Sequence, residues 1–100
     1  MIHSLKCERD YFESVINFSK KAEVRLNDRN YKVGDFLALN ELKEDGIGFT
    51  GRSVLLWVRH ILDDNRFCKE GFVIMSFEPV RVNTNEPCEM PKFILEGEER

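Results

Sequence analysis

The chain has 100 residues, of which 42% are apolar and 33% are charged, and its net charge is −3 at pH 7. This length suits one ordinary domain, and the composition is that of a folded globular protein, which excludes wholesale disorder. The apolar runs fall short of the ~18 residues that a membrane span requires, and the first residues lack a signal peptide's apolar run. We therefore expect a cytoplasmic protein with no membrane contact.

The cysteines argue against a metal site. Cys7, Cys68 and Cys88 are widely spaced and form no CxxC pair, and only His3 and His60 could add to them as ligands. A zinc site usually takes four ligands at short, paired spacings. The sequence therefore predicts reduced thiols in a reducing compartment, with no metal and no cofactor.

The chain begins with a predicted strand and a predicted helix. Ile2 to Lys6 reads as a short strand, and Glu8 to Asn17 reads as a helix. The apolar residues of this helix recur at positions that place them on one stripe, as in a helix that packs on a core. They are Tyr11, Phe12, Val15 and Ile16.

From Lys21 onward the apolar period changes from that of a helix to two, which is typical of a strand. Ala22, Val24 and Leu26 are predicted to face the core. The opposite face is predicted to be the working face, and it carries Lys21, Glu23, Arg25 and Asn27.

Three later strands are predicted, separated by turns. Phe36 to Leu39 is apolar on both faces, and Arg52 to Leu62 is the longest strand, with His60 on its apolar face. Phe72 to Phe77 is expected to stop before Pro79, with residues 80–82 as an extension of the sheet. Trp57 and the eight phenylalanines are predicted to be mostly core, and His3 and His60 are predicted to be structural.

These elements predict one α+β domain over residues 1–82. We expect a small, partly closed β-barrel of about five to six strands with one main helix packed against it. Residues 83–100 are an acidic C-terminal extension that forms either a last strand or a flexible tail.

One motif resembles a known family. Lys20-x-x-Glu23-x-Arg25, followed by Val33-Gly34-Asp35, resembles the ASCH domain, a branch of the PUA-like β-barrel superfamily with a GxKxxExR hallmark. Over roughly residues 2–78 the chain is similar to a subgroup of small stand-alone bacterial and phage proteins of unknown function. The strings that carry this similarity are Ile2-His3-x-Leu5-Lys6, Tyr11-Phe12, Glu23-Val24-Arg25-x-Asn27-Asp28-Arg29, Thr50-Gly51-Arg52 and Glu70-Gly71-Phe72-Val73-Ile74.

The chain departs from the motif at one position. Phe18 stands where the family has glycine, which would close the helix in a left-handed conformation. Asn tolerates this conformation better than Phe, so we expect Asn17 to form the cap instead.

The resemblance implies that the chain binds RNA or a nucleotide or nucleoside in a cleft between the first helix and the barrel. Lys20 and Arg25 suit phosphate, and Glu23 can accept hydrogen bonds from a base amino group or a ribose hydroxyl. Further candidate ligand-binding residues are Lys6, Lys21, Asn27, Arg29 and Arg52. Three aromatic residues are candidates for stacking on a base, namely Phe18, Tyr31 and Phe49.

Plainer readings and two other function classes stay open. Glu23 and Arg25 also suit a surface ion pair, and residues 27–30 suit a turn. A hydrolase that acts on a modified nucleoside or RNA needs a hydroxyl nucleophile beside the lysine, and related hydrolases have threonine where this chain has Glu23. A binding protein is therefore favoured over an enzyme, and the hydrolase is kept as an open alternative. The other alternative is a protein-interaction or regulatory module of bacterial or phage origin, which would suit the acidic residues 63–100.

Overall fold

The computed structural model describes residues 1–83, which form one helix and five strands. The predicted elements are all present, and several strands are longer than predicted. In chain order the elements are β1 (Ile2–Cys7), α1 (Arg9–Ile16), β2 (Ala22–Leu26), β3 (Phe36–Leu42), β4 (Phe49–Leu62) and β5 (Phe72–Asn83).

The five strands form a single sheet in the order β1-β3-β4-β5-β2. β1 runs parallel to β3, whereas the other neighbouring pairs are antiparallel. β1 and β2 are the two edge strands. The sheet curves into a half-barrel, and its opening lies between these two strands. The expectation of a small, partly closed barrel with one helix is thus confirmed. The described residues contain no helix with the length and apolar character of a membrane span.

The core lies on the concave side of the sheet, under α1. β3 is buried along nearly its whole length, which confirms the prediction that both of its faces are covered. Phe12 and Val15 of α1 are three residues apart and therefore share one helix face, which is fully buried. They join a core formed mainly by Leu37, Leu39, Val54, Leu56, Val58, Val73 and Met75.

The end of α1 differs from the prediction. Asn17 has φ −93°, whereas Phe18 itself adopts the left-handed conformation at φ +69°. The amides of Ser19 and Lys20 then both donate to the carbonyl of Ser14, so the turn satisfies a helix carbonyl that would otherwise lack a partner. A non-glycine residue in this conformation costs on the order of 1 kcal/mol or more. The chain therefore bears a backbone strain that glycine would avoid.

The faces of β2 are the reverse of those predicted. Glu23 is 6% exposed, whereas Val24 is 58% exposed and Leu26 is also exposed. The period of two is correct, but the polar side chains point inward, where Glu23 pairs with Lys20 and Arg25. Alternation alone cannot decide which face of an edge strand is covered, and here the polar face is covered.

Two irregularities correct the expectations for β4 and β5. The register shifts between Val58 and His60, so His60 is exposed and Ile61 packs against the core in its place. A second shift lies opposite Pro79, which allows β5 to continue to Asn83 instead of stopping. Proline is tolerated in a sheet at such a bulge because no ladder hydrogen bond from its nitrogen is needed there.

The aromatic residues are less buried than predicted. Among the described phenylalanines only Phe12 and Phe77 are buried, and Phe18 and Phe67 are largely exposed. Trp57 is also partly exposed, and the Arg59 guanidinium lies 4.1 Å from its ring centroid. The total of eight included Phe93, which lies outside the described residues together with most of the predicted acidic extension.

His3 is structural, as predicted. Its Nε2 lies 2.8 Å from Oδ2 of Asp35, and its ring meets the edge of Tyr31 at a centroid distance of 4.7 Å. Burial alone would raise the pKa of Asp35, but hydrogen bonds from His3 and from the Lys32 amide outweigh it and hold the pKa below its ordinary value. The N-terminal amine also pairs with Asp35, so this carboxylate anchors the start of β1.

Candidate functional site

A cleft of about 480 Å³ lies at the open seam of the half-barrel, where the end of β1 faces the edge strand β2. We call it the seam cleft. It combines three cationic side chains with two carboxylates and a group of apolar and aromatic residues. Its lining residues are Lys6, Cys7, Glu8, Tyr11, Lys20, Glu23, Val24, Arg25, Leu26 and Phe72.

A charged triad forms the floor of the seam cleft. The buried carboxylate of Glu23 accepts a hydrogen bond from Lys20 Nζ at 2.6 Å and another from Arg25 Nε at 2.8 Å. The two cationic side chains are each about a quarter exposed, so they lie between the buried carboxylate and solvent. The predicted ion pair between Glu23 and Arg25 is present, although it belongs to a cleft and not to an open surface.

Arg25 also spans the seam. Its Nη2 donates to the carbonyl of Lys6 on β1 at 2.8 Å, while its Nε holds Glu23 on β2. Lys20 is fixed in a similar way, because its Nζ donates to the carbonyl of Ala22 as well as to Glu23. These contacts use two of the three Lys20 donors and two of the five Arg25 donors, which leaves donors on both side chains for a ligand.

Tyr11 is one of the cleft residues that the sequence does not predict, and the others are Cys7, Glu8, Val24, Leu26 and Phe72. The apolar stripe of α1 predicts that Tyr11 packs on the core, but the residue is 55% exposed and its ring lies 5.9 Å from Lys20 Nζ. Of the three aromatic residues that the sequence offers for stacking, Tyr31 is buried against His3, and neither Phe18 nor Phe49 lines the seam cleft. The sequence does contain a sign of this exposure, because Tyr11 lies at the edge of the helix face that Phe12 and Val15 share.

Cys7 lines the cleft without being a nucleophile. Burial, followed by the negative charge of Glu23, raises the pKa of its thiol to about 12. The thiolate is the reactive form of cysteine, so this thiol is unreactive near neutral pH. Cys7 and Cys68 are both free and buried. Within residues 1–83 no group of three or more His, Cys, Asp or Glu side chains is arranged to hold a metal ion.

The structure brings together Lys6, Lys20, Glu23 and Arg25 from the predicted ligand set, but not the others. Lys21 lines a separate depression, and Arg29 is exposed on the loop after β2. The side chain of Asn27 accepts a hydrogen bond from the Tyr31 amide at 3.0 Å, as expected for a turn.

Arg52 belongs to a second charged group at another part of the molecule, which we call the Arg52 cluster (Glu13, Glu41, Thr50 and Arg52). Glu41 is only 1% exposed and receives two hydrogen bonds from Arg52, both at 2.7 Å. Thr50 donates a third at 2.7 Å, and Arg52 also binds Glu13 at 2.6 Å. The hydrogen bonds from Arg52 are the main cause that lowers the pKa of Glu41. Two carboxylates therefore bind this one cation.

Comparison with known proteins gives a phage relative. A protein of Escherichia phage P2, named "Uncharacterized 12.9 kDa protein in GpA 3'region", is 42% identical to this chain over 62 residues. The similar segment covers 62% of this chain and 55% of the phage protein, so the chain spans little more than half the length of this relative. The family described as "Domain of unknown function (DUF3850)" matches residues 2–77. This match covers three quarters of the chain, and the chain belongs to that family.

Proposed function

We propose that the chain binds single-stranded RNA or a nucleotide in the seam cleft. The observation that carries the proposal is the triad of Lys20, Glu23 and Arg25, in which one buried carboxylate holds two partly exposed cations in the lining of the seam cleft. The lining carries a surplus of positive charge on a protein whose net charge is −3. A local positive site of this kind selects anionic ligands without general attraction to polyanions.

The triad is poorly explained as a stabilising device. Burying a carboxylate costs several kcal/mol, and the attraction of its partners usually does little more than offset that cost. Replacing a buried ion pair with apolar residues of similar volume is often neutral or stabilising. What the carboxylate adds is orientation, because it fixes the Lys20 and Arg25 side chains in the lining of the cleft while each keeps unused donors.

The donor and acceptor types fit a nucleotide. Lys20 meets a phosphate as a point charge and Arg25 as a planar, two-donor fork. Each oxygen of Glu23 keeps one lone pair, which can accept a hydrogen bond from a base amino group or a ribose 2′-hydroxyl. The exposed ring of Tyr11 beside Lys20 is suited to stacking on a base.

The resemblance to the ASCH domain supports the same proposal. Lys20, Glu23 and Arg25 are the residues of this chain that match the hallmark of that domain, and ASCH and PUA-like domains are generally thought to bind RNA. These three residues line one cleft here, as that resemblance leads us to expect.

The test is binding of fluorescently labelled single-stranded RNA, measured by anisotropy, with ribonucleoside monophosphates as competitors. Lys20→Gln and Arg25→Gln are each expected to weaken binding by about tenfold and to lower the slope of log affinity against log salt by about one unit. Lys43→Gln is the matched control, because it removes one positive charge from the depression beside the Arg52 cluster. Equal effects of all three substitutions would refute a site in the seam cleft.

A second candidate function rests on the reversed faces of β2. Val24 and Leu26 are exposed side chains on an edge strand, which is the arrangement that an extended peptide uses when it adds to a sheet. Such a partner would bind with little salt dependence and would lose affinity on Val24→Ser. The anisotropy experiment separates the two candidates, because phosphate contacts weaken steeply as salt rises.

A further inference from the structure

Phe18 carries two costs that a purely structural residue would avoid. Its backbone is held in the left-handed conformation at φ +69°, and its side chain is 57% exposed. Glycine at this position would remove both the strain and the exposed aromatic surface. Strain that persists at one residue is often found at a ligand site, where the side chain contributes to binding.

Phe18 lies in a depression beside the seam cleft, where its side chain could contact a ligand. The ring lines a depression of about 290 Å³ next to the seam cleft, together with Lys20, Lys21, Phe77, Glu78 and Pro79. Lys20 lines this depression as well as the seam cleft, so the two cavities adjoin at this residue. An exposed aromatic ring is therefore present on either side of Lys20, with Tyr11 in the seam cleft and Phe18 in the neighbouring depression.

We propose that Phe18 is the stacking residue of a second subsite and that the ligand is a single strand of at least two nucleotides. One base stacks on Tyr11, the bridging phosphate binds Lys20, and the neighbouring base stacks on Phe18. This inference rests on the proposed function and extends it from a single nucleotide to an oligonucleotide.

The chemistry of the depression suits a base and a further phosphate. Phe77 and Pro79 offer an apolar floor beside the Phe18 ring, and Lys21 adds a second cation at its edge. The lining has two lysines and one carboxylate, Glu78, which is paired with Arg59 at 3.2 Å, and Lys21 has no carboxylate partner among the ion pairs of the described residues. Stacking on an aromatic side chain tolerates any base, so we expect weak sequence preference at this subsite.

The experiment compares ribonucleoside 5′-monophosphates with dinucleotides of the same bases that carry a 5′-phosphate, by calorimetric titration at low salt. Wild-type protein should bind the dinucleotides more tightly. Phe18→Gly should weaken dinucleotide binding at least about fivefold while mononucleotide binding stays unchanged, because a base–aromatic contact contributes that much or more. Phe18→Leu, which keeps the backbone strain and the apolar volume but lacks the ring, should weaken it similarly.

Thermal unfolding gives the second readout. Phe18→Gly should raise the unfolding midpoint of the free protein by about 4 °C, since it relieves strain, so weaker binding cannot be attributed to misfolding. If mononucleotides bind but dinucleotides bind no better, or if Phe18→Gly leaves dinucleotide affinity intact, the proposal of a second subsite is wrong. The proposal that the seam cleft binds a nucleotide is then unaffected. If neither ligand binds wild-type protein, the proposed function and this inference both fail.

Discussion

Two buried glutamates, Glu23 and Glu41, form similar ion pairs that differ in how much positive charge they leave free to bind a ligand. Each carboxylate is almost fully buried and receives charge-assisted hydrogen bonds of 2.6 to 2.8 Å. In the seam cleft two cations bind one carboxylate. In the Arg52 cluster two carboxylates bind one cation, and Arg52 also lies 5.0 Å from the ring centroid of Phe12.

The ratio of cations to carboxylates distinguishes a binding site from a structural ion-pair cluster. We call the second kind a brace, because it holds neighbouring elements together. A surplus cation remains in the triad of the seam cleft, where Lys20 and Arg25 retain unused donors. The Arg52 cluster has a surplus of negative charge, and it ties α1 to β3 and β4 through Glu13, Glu41 and Arg52. The comparison teaches that a basic residue in a motif is informative about a ligand only when its neighbours leave its charge unneutralised.

Breaking the brace should have the largest effect on stability. Arg52→Met leaves the buried Glu41 carboxylate without its cation, and removing one partner of a buried pair typically costs about 3–5 kcal/mol. Urea unfolding followed by circular dichroism measures this loss. Arg9→Met is the control, because its pair with Glu44 is exposed and should contribute less than about 1 kcal/mol. Equal losses for the two variants would mean that the Arg52 cluster is not a brace.

The loss of folding stability at acidic pH should depend on two carboxylates, that of Glu41 in the Arg52 cluster and that of Asp35, which anchors the start of β1. The folded-state pKa values of Glu41 and Asp35 lie below the ordinary values of 4.5 and 3.8. Their contributions are therefore complete above those values and are lost as the pH falls through the lowered folded-state pKa. Asp35→Asn should flatten the acid limb of the urea midpoint plotted against pH. An acid limb unchanged by this substitution would contradict the assignment to Asp35.

Cys7 offers a smaller but direct probe of the two glutamates, since both carboxylates raise the pKa of its thiol and Glu23 does so more strongly. Alkylation of Cys7 by iodoacetamide, followed by mass spectrometry, should be far slower in folded than in unfolded protein at about pH 9, where few buried thiols are ionised. Glu23→Gln should accelerate the reaction more than Glu41→Gln. The reverse order would place Cys7 nearer the Arg52 cluster than the geometry indicates.

Much of the fold could be predicted from periodicity. The stripe of Phe12 and Val15, the doubly apolar β3 and the turn between β3 and β4 all follow from local pattern and are present as expected. The motif of Lys20, Glu23 and Arg25 likewise marked three residues that lie in one cleft. These features depend on residues close together in the sequence, so local reasoning finds them.

Features that depend on long-range contacts could not be predicted in this way. The faces of β2 are decided by which strand edge closes the seam, and a register shift moves His60 out of the apolar face of β4. The partners of Arg52 come from α1 and β3, which are distant in the sequence, so the motif string could not separate Arg52 from Arg25. The strain at Phe18 was also missed, because Asn17 satisfied the local rule for a helix cap.

The most direct test of the central claim is the pattern of amide chemical shifts in isotopically labelled protein during titration with short single-stranded RNA at low and moderate salt. We expect perturbations at Lys6 to Glu8 and Lys20 to Leu26 that fade as salt rises, with none at Thr50 to Arg52. Perturbations centred on the Arg52 cluster, or no perturbation at the seam cleft, would contradict this claim.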